Sequence, residues 1–589
     1  MKRIYPRIKF SGGQFADTLS TIFAENLEDL LEKVEIDDSN PPFPKGFMHT
    51  STIPHEGTCY YDQAWSRDVG RGVQELARLG FIEEAKLCVD YFLSEVKTRA
   101  SWGRVINRDG DNYEACGTTH IMNSIYQTWK ASGYDKELGT RYIKETESVF
   151  GLLKQQMEEC PYGYLVPNKS ELTGNPSVVL GPVGGVYGIY PNYGVWVVLK
   201  GFEKMATVCG VPEKAAYFKE EASKLIDSIM EKLGLHEGLH SFVKEGCWIN
   251  GINADTGKAY DTADYYVCKF PIHKWTRQLP FIQDYDFEID EIEGLPAEIN
   301  RTSYDYILHE MAKGYFFRKY GFVSNTCWEG CGGRHDDTMA GYGQNYMTQA
   351  TLIADDVNAY TKCFEGIARL GYDGDIIEPL AFEMNPWIMH ECFEYENYEQ
   401  GLDHTFGRNG DDSRGIMHNP GDEGNLVQAS ETLKSISLIA GLNYMSDRNT
   451  LVFKPRMPWE YNEMTLLDYP VFDSEVPNGI NRIDVSFNHQ RWLRESNLYI
   501  SAQYPVENID VRFGPYAHHF SSKLSYALYK SKDEALGLLI IGRVSDYKDD
   551  AEFTHVSDCE IIQTKNASWI WARNLKLNSD NELNIQLCL

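Results

Sequence analysis

Three short stretches of the sequence place carboxylates beside aromatic or basic side chains, a combination that suits acid–base chemistry. They are residues 62–68 (DQAWSRD), 325–333 (NTCWEGCGG) and 419–425 (NPGDEGN). Each stretch precedes or opens a segment with helical periodicity. In the second stretch Glu329 directly follows Trp328, and burial beside an indole ring keeps a carboxyl group protonated. The three stretches therefore predict a site that holds at least one carboxylic acid ready to donate a proton.

Two carboxyl groups of opposite protonation state are what the hydrolysis of a glycosidic bond requires. One donates a proton to the leaving group, and the other activates water or attacks the sugar. Glu329 fits the first role because of its tryptophan neighbour. Glu423 lies in a polar turn flanked by glycine, where it should stay ionised. We therefore predict Glu329 as the general acid and Glu423 as the second catalytic carboxylate.

A structural explanation stays open for several of the acids. An acidic residue near a helix start is commonly a cap or a favourable partner of the helix dipole, and this applies to Asp68, Asp337, Asp422 and Glu423. Glu329 stands too far ahead of the next predicted helix to be its cap. The acids that could replace one of the two glutamates are Asp336, Asp337 and Asp422.

Further side chains near these carboxylates could hold a sugar. Aromatic residues make up 13% of the chain, and sugar rings stack on aromatic walls, although most aromatic residues serve core packing. An arginine can grip hydroxyl groups through two hydrogen bonds, and the histidines could be ligand contacts or structural residues. The predicted substrate-binding residues are Tyr60, Asp62, Trp65, Arg67, Asp68, His120, Trp328, Arg334, His335, Asp336, Asp337, Tyr342 and Gln344.

Composition narrows the possible partners. The 589 residues carry a formal net charge of −30, which argues against nucleic acid as a partner. The sequence lacks a run of eighteen apolar residues and a signal-peptide core, so we expect no membrane segment and a cytoplasmic location. The 13 cysteines form no CxxC pair, so neither disulfides nor a zinc site is predicted. We predict no metal and no cofactor, with a structural calcium in the acidic loops and the oligomeric state left open.

The fold class predicted from periodicity is mainly α, followed by a β domain. Between residues 16 and 441 helical segments alternate with short glycine-containing turns and long polar loops, which is typical of an (α/α)6 toroid of six helical hairpins. After residue 449 short β-branched and aromatic segments predict an antiparallel β-sandwich. The predicted domains are thus residues 1–448 and 449–589.

The reactive residues fall at the starts of alternate predicted helices. In a barrel of hairpins these helices form the inner ring, and their N-terminal ends lie together at the end that carries the long loops. The candidate clusters should therefore converge on one pit. Besides the residues named above, the helix starts contribute Tyr113, Glu114, Tyr190 and Asn192.

These residues give the chain a resemblance to the six-hairpin glycosidases, in particular to the glucoamylase and glycogen-debranching group. The family motif Trp-x-Arg-Asp is matched by Trp65-Ser66-Arg67-Asp68, and its Trp-Glu segment by Trp328-Glu329. The resemblance implies that Arg67 and Asp68 grip the terminal sugar, that Glu329 is the general acid, and that Glu423 is the base. Rhamnosidase-like enzymes are the next nearest group. The resemblance does not extend to the N-terminal β-domain of bacterial members, so the substrate does not follow from it.

Together these features predict an exo-acting glycoside hydrolase that inverts configuration, with its carboxyl groups roughly 6.5–9.5 Å apart. An α-glucoside is the first expected substrate, and an α-L-rhamnoside or another hexoside the alternative. A polysaccharide lyase using Tyr113, His120 and Arg104 is a rival, disfavoured because an acidic chain repels an anionic substrate. A phosphorylase and a non-catalytic carbohydrate-binding protein are the remaining alternatives.

Overall fold

The computed structural model describes most of the chain, with gaps. The described residues are 3–51, 64–99, 115–168, 185–234, 247–249, 251–260, 294–313, 315–323, 341–372, 387–390, 394–395, 417–418, 424–491, 495–517, 520, 524–533 and 538–588. Helices dominate this part of the chain up to residue 440, and strands dominate after it.

The helices follow the predicted periodic segments. They are α1 (Ala16–Glu32), α2 (Ser66–Arg78), α3 (Ile82–Arg99), α4 (Ala115–Ala131), α5 (Lys136–Glu145), α6 (Glu147–Glu159), α7 (Ile189–Val208), α8 (Pro212–Ile229), α9 (Ala297–Lys313), α10 (Tyr315–Tyr320), α11 (Gly341–Ile353), α12 (Val357–Tyr372), α13 (Leu426–Ala440) and α14 (Val544–Tyr547). Among these described helices, none is both long and apolar enough to cross a membrane.

One helical expectation needs correction. The segment 136–157 reads as one helix, but it is divided at Thr146, whose hydroxyl donates to the carbonyl of Tyr142 at 2.7 Å. The sequence also predicts a helix near residues 260–269, and this prediction is untested beyond its first residue. There Ala259–Tyr260 forms a strand paired with Gly251–Asn253, and the rest of that segment lies outside the described residues.

Four pairs of described helices are joined by short turns. The turns connect α2 to α3, α4 to α5, α7 to α8 and α11 to α12. Each contains at least one residue with positive φ: Gly80, Gly133 followed by Tyr134, Gly210 and Asp355. A left-handed residue reverses the chain directly after a helix and so favours an antiparallel hairpin.

The first helices of these pairs, together with α13, lie side by side in the order α7, α4, α2, α13, α11. Glycine allows the closest crossing: a Cβ at Gly70 of α2 would lie 2.6 Å from the backbone of His120 in α4. Residues 261–269, which belong to a further predicted helix, lie outside the described residues, so the closed toroid of six hairpins stays a prediction.

The strands form one long sheet in the order β1-β9-β10-β11-β17-β14-β13-β15-β16-β12-β8-β7. The bounds of its strands are β1 (Arg7–Ser11), β7 (Leu442–Met445), β8 (Thr450–Phe453), β9 (Glu463–Phe472), β10 (Ile480–Gln490), β11 (Glu495–Ala502), β12 (Asn508–Tyr516), β13 (Tyr526–Ser531), β14 (Leu538–Arg543), β15 (Phe553–Gln563), β16 (Ser568–Leu575) and β17 (Glu582–Cys588). Short strands elsewhere are β2 (Val186–Gly188), β3 (Gly251–Asn253), β4 (Ala259–Tyr260), β5 (Glu394–Tyr395) and β6 (Met417–His418).

Three features of this sheet differ from a simple antiparallel sandwich at the end of the chain. The pairs β8–β12 and β14–β17 are parallel. Strand β1 comes from the start of the chain and pairs with β9. Strand β7 precedes the predicted boundary at residue 448 yet pairs with β8.

The sheet folds back on itself around an aromatic core. Phe487 of β10 touches Phe453 of β8 and Phe513 of β12, with ring centroids 5.6 and 6.0 Å apart. These strands are far apart in the strand order. Two layers with side chains packed between them are therefore present, as in a sandwich.

The β domain packs against the short turns of the helical pairs. A Cβ at Gly133 would lie 2.3 Å from the Cα of Gly479, and one at Gly80 would lie 3.2 Å from Pro470. Asp355, in the turn between α11 and α12, binds Arg512 and Arg456. The opposite end of the helices, where the N-terminal ends of α2 and α13 lie, faces away from the sheet.

Candidate active site

One buried residue, Thr50, ties the starts of α2 and α13 together. Its hydroxyl oxygen accepts a hydrogen bond from the N–H of Trp65 at 3.1 Å, and its carbonyl accepts from Leu426 at 2.9 Å. The first turns of the two helices therefore lie next to each other. Two of the predicted catalytic segments, residues 62–68 and 419–425, run into these two helix starts.

The starts of α4 and α7 are joined in a similar way. Asn168 accepts a hydrogen bond from the N–H of Ala115 at 2.7 Å, and its backbone pairs with Val186 just ahead of α7. Asn192, in the first turn of α7, bonds to both backbone groups of Val166 at 2.7 and 3.0 Å. The side-chain amides of Asn168 and Asn192 thus form hydrogen bonds with backbone groups. Asn192 therefore positions helix starts at the same end of the bundle.

Further inside, five helices each contribute one side chain to a buried central cluster. Its members, all of them buried, are Arg71 (α2), His120 (α4), Tyr190 (α7), Tyr346 (α11) and Glu431 (α13). The Arg71 guanidinium lies 3.0 Å from Glu431 Oε1 and 3.1 Å from His120 Nε2, and it donates to the Tyr190 hydroxyl. That hydroxyl lies 3.0 Å from His120 Nε2 and 3.4 Å from the Tyr346 hydroxyl.

Neighbouring polar residues complete the hydrogen bonds of the central cluster. Gln349 donates to Glu431 Oε2 at 2.7 Å. Gln74 donates to the carbonyl of His120 at 3.0 Å and is held by Asn123 at 2.9 Å. A buried network with this many satisfied members rigidifies the packing of the helices around it.

His120 is held neutral in this environment. Burial lowers its pKa well below the usual value, and the positive charges of Arg71, Lys434 and Arg67 lower it further. Since Arg71 can only donate hydrogen bonds, His120 Nε2 must accept, and the ring proton sits on Nδ1.

Tyr190 and Glu431 are also each held in one protonation state. Burial raises the pKa of Tyr190 well above its usual range, so the phenol stays protonated. Burial opposes ionisation of Glu431, but Lys434 and Arg71 outweigh it and keep its pKa below the usual value. The Glu431–Arg71 pair is therefore charged, and the central cluster is suited to holding a geometry rather than to exchanging protons.

Four predicted site residues lie around this cluster. Trp65 is the N-cap residue of α2, and Arg67 and Asp68 are in its first turn, both buried, with Arg67 Nη2 3.5 Å from Asp68 Oδ2. Arg71 follows Arg67 by four positions, so the two arginines share one face of the helix. His120 lies in the second turn of α4 and belongs to the central cluster.

Gln344 lies elsewhere and requires a correction. Its side-chain oxygen accepts from the N–H of Val323 at 2.7 Å, and its nitrogen donates to the carbonyls of Gly321 and Cys363 at 3.2 and 2.9 Å. These partners lie on the side of α11 opposite Tyr346. Gln344 is therefore a structural bridge to α12 and is not available to a sugar.

The other predicted residues are outside the part of the chain that the structure describes. This holds for both proposed catalytic residues and for the side chain of Tyr342. The full set is Glu329, Glu423, Tyr60, Asp62, Trp328, Arg334, His335, Asp336, Asp337, Asp422, Tyr113, Glu114 and Arg104. Within the described residues, no group of three His, Cys, Asp or Glu side chains could hold a metal ion.

Sequence reasoning missed most of the central cluster. Arg71, Tyr346 and Glu431 lie within helices, where isolated polar residues usually face solvent. The sequence contains one indication of this cluster. Polar side chains recur at helical spacing along α2, at residues 67, 71, 74 and 78, although α2 is predicted to be an inner helix.

Comparison with known proteins relates the fold to solved glycosidases. No protein-family profile and no curated protein matches the chain. It is similar to an α-L-rhamnosidase from Dictyoglumus thermophilum, with 10% identity and a TM-score of 0.52 over 98% of this chain and 51% of that one. An α-L-rhamnosidase from Streptomyces avermitilis complexed with L-rhamnose has 10% identity and a TM-score of 0.47 over 96% and 42% of the two chains. A wild-type glycosidase has 10% identity and a TM-score of 0.44 over 72% and 100%.

At this identity the first similarity shows a shared fold and nothing finer. The two lower TM-scores carry no argument. The chain spans about half the length of the Dictyoglumus enzyme.

Proposed function

We propose that the protein is an exo-acting, inverting glycoside hydrolase, with Glu329 as the general acid and Glu423 as the general base. The observation that carries the proposal is the joining of helix starts at one end of the bundle, where Thr50 ties α2 to α13. Two sequence segments rich in carboxylates lead into those starts. The β domain packs against the other end of the helices.

The described residues supply the frame for this chemistry. In this proposal Arg67 and Asp68 bind hydroxyl groups of a terminal sugar, as the family resemblance implies. The central cluster below them is charged, hydrogen-bonded and buried, so it fixes the helices that carry them. Glu329 would protonate the leaving oxygen while Glu423 takes a proton from the attacking water, and inversion follows because water attacks from the opposite face.

For the substrate we propose an α-L-rhamnoside first and an α-glucoside second. The sequence motifs alone favoured the α-glucoside. The shared fold with the Dictyoglumus α-L-rhamnosidase supports the alternative better. Fold similarity does not define the sugar, because the subsite is built by side chains on long loops.

A uronic-acid lyase is the second candidate, because Tyr190, His120 and Arg71 lie in mutual contact. A lyase needs a tyrosine that gives up its proton and an arginine that neutralises the uronate. Here burial raises the pKa of Tyr190, and Arg71 is already paired with Glu431. The lyase is therefore the less supported proposal.

The experiment is a turnover assay on aryl and alkyl α-L-rhamnosides and α-glucosides, with the anomer of the released sugar followed by proton NMR. Release of the inverted sugar supports the proposal, whereas the retained anomer contradicts the mechanism. A new absorbance on uronic-acid polymers without hydrolysis would favour the lyase.

The acid role of Glu329 is tested by Glu329→Gln. General-acid catalysis contributes about 10²–10⁴-fold, so turnover of an alkyl glycoside should fall by that order. A nitrophenyl glycoside should lose less, because its leaving group needs little protonation. Retained turnover of the alkyl glycoside would move the acid role to Asp336 or Asp337. Glu365→Gln on α12 serves as the control, since Glu365 forms an ion pair with Lys362 and Arg369 away from the helix starts.

A further inference from the structure

Helix α13 carries a stripe of three polar side chains, Gln428, Glu431 and Ser435. Residues three or four positions apart in a helix lie on one face, one above the other. Glu431 binds Arg71 of α2 at 3.0 Å, and the Ser435 hydroxyl donates to the side-chain oxygen of Asn345 in α11 at 3.2 Å. The stripe therefore faces the neighbouring inner helices, and Gln428 belongs to the inner side of the bundle.

Gln428 lacks the hydrogen bonds that the other two residues of the stripe have. It is 1% exposed, and its side-chain nitrogen has no hydrogen-bond partner in the part of the chain that the structure describes. Leaving a buried amide without a partner costs free energy, and folded proteins seldom do so without a reason. A ligand that supplies the missing acceptor would remove this cost.

Gln428 also lies at the same level of the bundle as Arg67. Glu431 pairs with Arg71 where α13 contacts α2. Gln428 precedes Glu431 by three positions, and Arg67 precedes its own helical neighbour by four. Each therefore lies about one turn, roughly 5 Å, nearer to the helix starts, which Thr50 ties together. The amide is thus on the same level as the arginine that the proposed function assigns to the terminal sugar.

A second buried polar group without a partner belongs to the same junction. Ser51 directly follows Thr50, and its hydroxyl oxygen is buried with no hydrogen-bond partner among the described residues. Thr50 accepts from the N–H of Leu426, two positions ahead of Gln428. Two unmatched polar groups beside one contact point to a polar ligand at this end of the bundle.

We propose that Gln428 is a specificity-determining residue of the sugar subsite, where its side-chain N–H donates a hydrogen bond to one hydroxyl oxygen of the terminal sugar. The inference rests on the proposed function, because it adds a residue to the subsite of that reaction. An uncharged amide matches a hydroxyl group without a counter-charge. Gln428 therefore selects a neutral ring that carries a hydroxyl group at one particular position.

The test compares Gln428→Met with the wild type on monodeoxy analogues of a nitrophenyl glycoside. The parent is the α-L-rhamnoside or the α-glucoside, whichever the wild type hydrolyses. Methionine is similar in length and volume to glutamine but has no N–H donor. For the wild type, the analogue that lacks the bound hydroxyl should have a kcat/KM roughly tenfold below that of the parent glycoside, the size of one neutral hydrogen bond.

In Gln428→Met the parent glycoside should lose roughly tenfold in kcat/KM for the same reason. The one analogue without the bound hydroxyl should lose nothing further, because the contact is already absent. The other analogues should show the same relative losses as with the wild type. This non-additivity identifies the hydroxyl that the amide binds.

Thermal unfolding without sugar provides a second measurement. Gln428→Met should keep or raise the Tm, since an apolar side chain replaces a buried donor that has no partner. The matched control is Gln344→Met, which removes three hydrogen bonds from an equally buried glutamine of α11. The control should lower the Tm and leave the ratios among the deoxy analogues unchanged.

Two results would overturn the inference alone. The first is turnover by the wild type with the same ratios among all analogues in Gln428→Met. The second is a Tm of Gln428→Met below that of the wild type, which would show that the amide is bound to the protein or to internal water. Hydrolysis of neither glycoside by the wild type would instead remove the proposed function, and the inference with it.

Discussion

At the scale of single residues, the buried charge of Arg71 organises the centre of the helical bundle. An isolated cation in this position would be very costly, because burial removes its hydration. Glu431 supplies the counter-charge at 3.0 Å, and the ring of Tyr346 lies 5.2 Å from the guanidinium carbon. Residues from four other helices thus converge on one arginine, and the relative positions of those helices depend on it.

The role of Glu431 is testable by Glu431→Gln. The change leaves Arg71 and Lys434 buried without their carboxylate, so we expect a loss of about 3–5 kcal/mol in the free energy of unfolding. Glu365→Gln, which removes a more exposed carboxylate paired with Lys362 and Arg369, should cost less than about 1 kcal/mol. Denaturant unfolding measures both variants.

The same variant separates positioning from catalysis. If Glu431 only positions the helices, the stability of Glu431→Gln falls and the pH profile of its remaining turnover keeps the shape of the wild type. Unchanged stability with abolished turnover would instead make Glu431 a catalytic carboxylate and refute the role given to the central cluster.

At the scale of elements, the proposed chemistry depends on where inner helices begin. The start of α13 is fixed by Asn425, whose side chain accepts from the N–H of Val427 at 3.0 Å, and by Thr50. The start of α5, an outer helix, is fixed by Asp135, which accepts from Leu138 at 2.8 Å. In both caps a side-chain oxygen accepts a hydrogen bond from a backbone N–H. The cap of α13 lies at the end of the bundle where the inner helices begin, and the cap of α5 lies at the end with the short turns.

We therefore expect Asn425→Ala and Asp135→Ala to destabilise the protein similarly, by about 0.5–2 kcal/mol each. Only Asn425→Ala should also reduce turnover, because it shifts the segment that leads from Glu423 into α13. Thermal unfolding and steady-state kinetics on the preferred glycoside check both expectations. Equal turnover in the two variants would show that the start of α13 is not part of the catalytic frame.

The elements were the most predictable level of this protein. Helical periodicity predicts helices over 15–34, 68–79 and 82–96, and α1, α2 and α3 match them within a few residues. Helices α1 and α3 each bury one apolar face, whereas α2 is buried on all sides. The break at Thr146 was missed, since one hydroxyl decides it while the apolar pattern continues. The five residues of β1 alternate between exposed and buried positions. So short a strand cannot be assigned from its own residues, because it is stabilised by pairing with β9.

Side-chain roles were less predictable than elements, for a physical reason. Arg67 and Asp68 could be selected because a motif marks them, and both are buried at the start of α2. Arg71 and Glu431 are 360 positions apart in sequence, and only the packing of α2 on α13 brings them into contact. Gln344 is predicted as a sugar contact, whereas its three hydrogen bonds make it a bridge on the outer side of α11.

At the scale of the whole molecule, one carboxylate connects the helices to the β domain. Asp355, in the turn between α11 and α12, accepts from Arg512 at 2.5 and 2.8 Å and from Arg456 at 3.2 Å. The Arg512 guanidinium also stacks over Trp569 at 4.6 Å. Burial alone would raise the pKa of Asp355, but Arg512 and Arg456 outweigh it and hold that pKa far below its usual range.

We expect Asp355→Asn to uncouple the two domains. Residue 355 has a φ of 52°, which asparagine adopts readily, so the substitution removes the charge without straining the turn. Two buried arginines then lose their counter-ion, which costs about 3–5 kcal/mol. Asp468→Asn is the matched control, because Asp468 has a φ of 55° and its carboxylate is 44% exposed, 4.0 Å from Arg7.

The pH dependence of these variants tests the same interaction. A carboxyl group whose pKa is lower in the folded protein adds stability above its unfolded pKa, roughly 4 for aspartate, and this stability is lost as the pH falls toward the folded value. The wild type and Asp468→Asn should therefore lose stability steeply below that pH, and Asp355→Asn less steeply. Calorimetry should show one unfolding transition for the control and two for Asp355→Asn at neutral pH. A single transition with unchanged acid sensitivity in Asp355→Asn would mean that apolar packing alone, around contacts such as Gly133 against Gly479, holds the domains together.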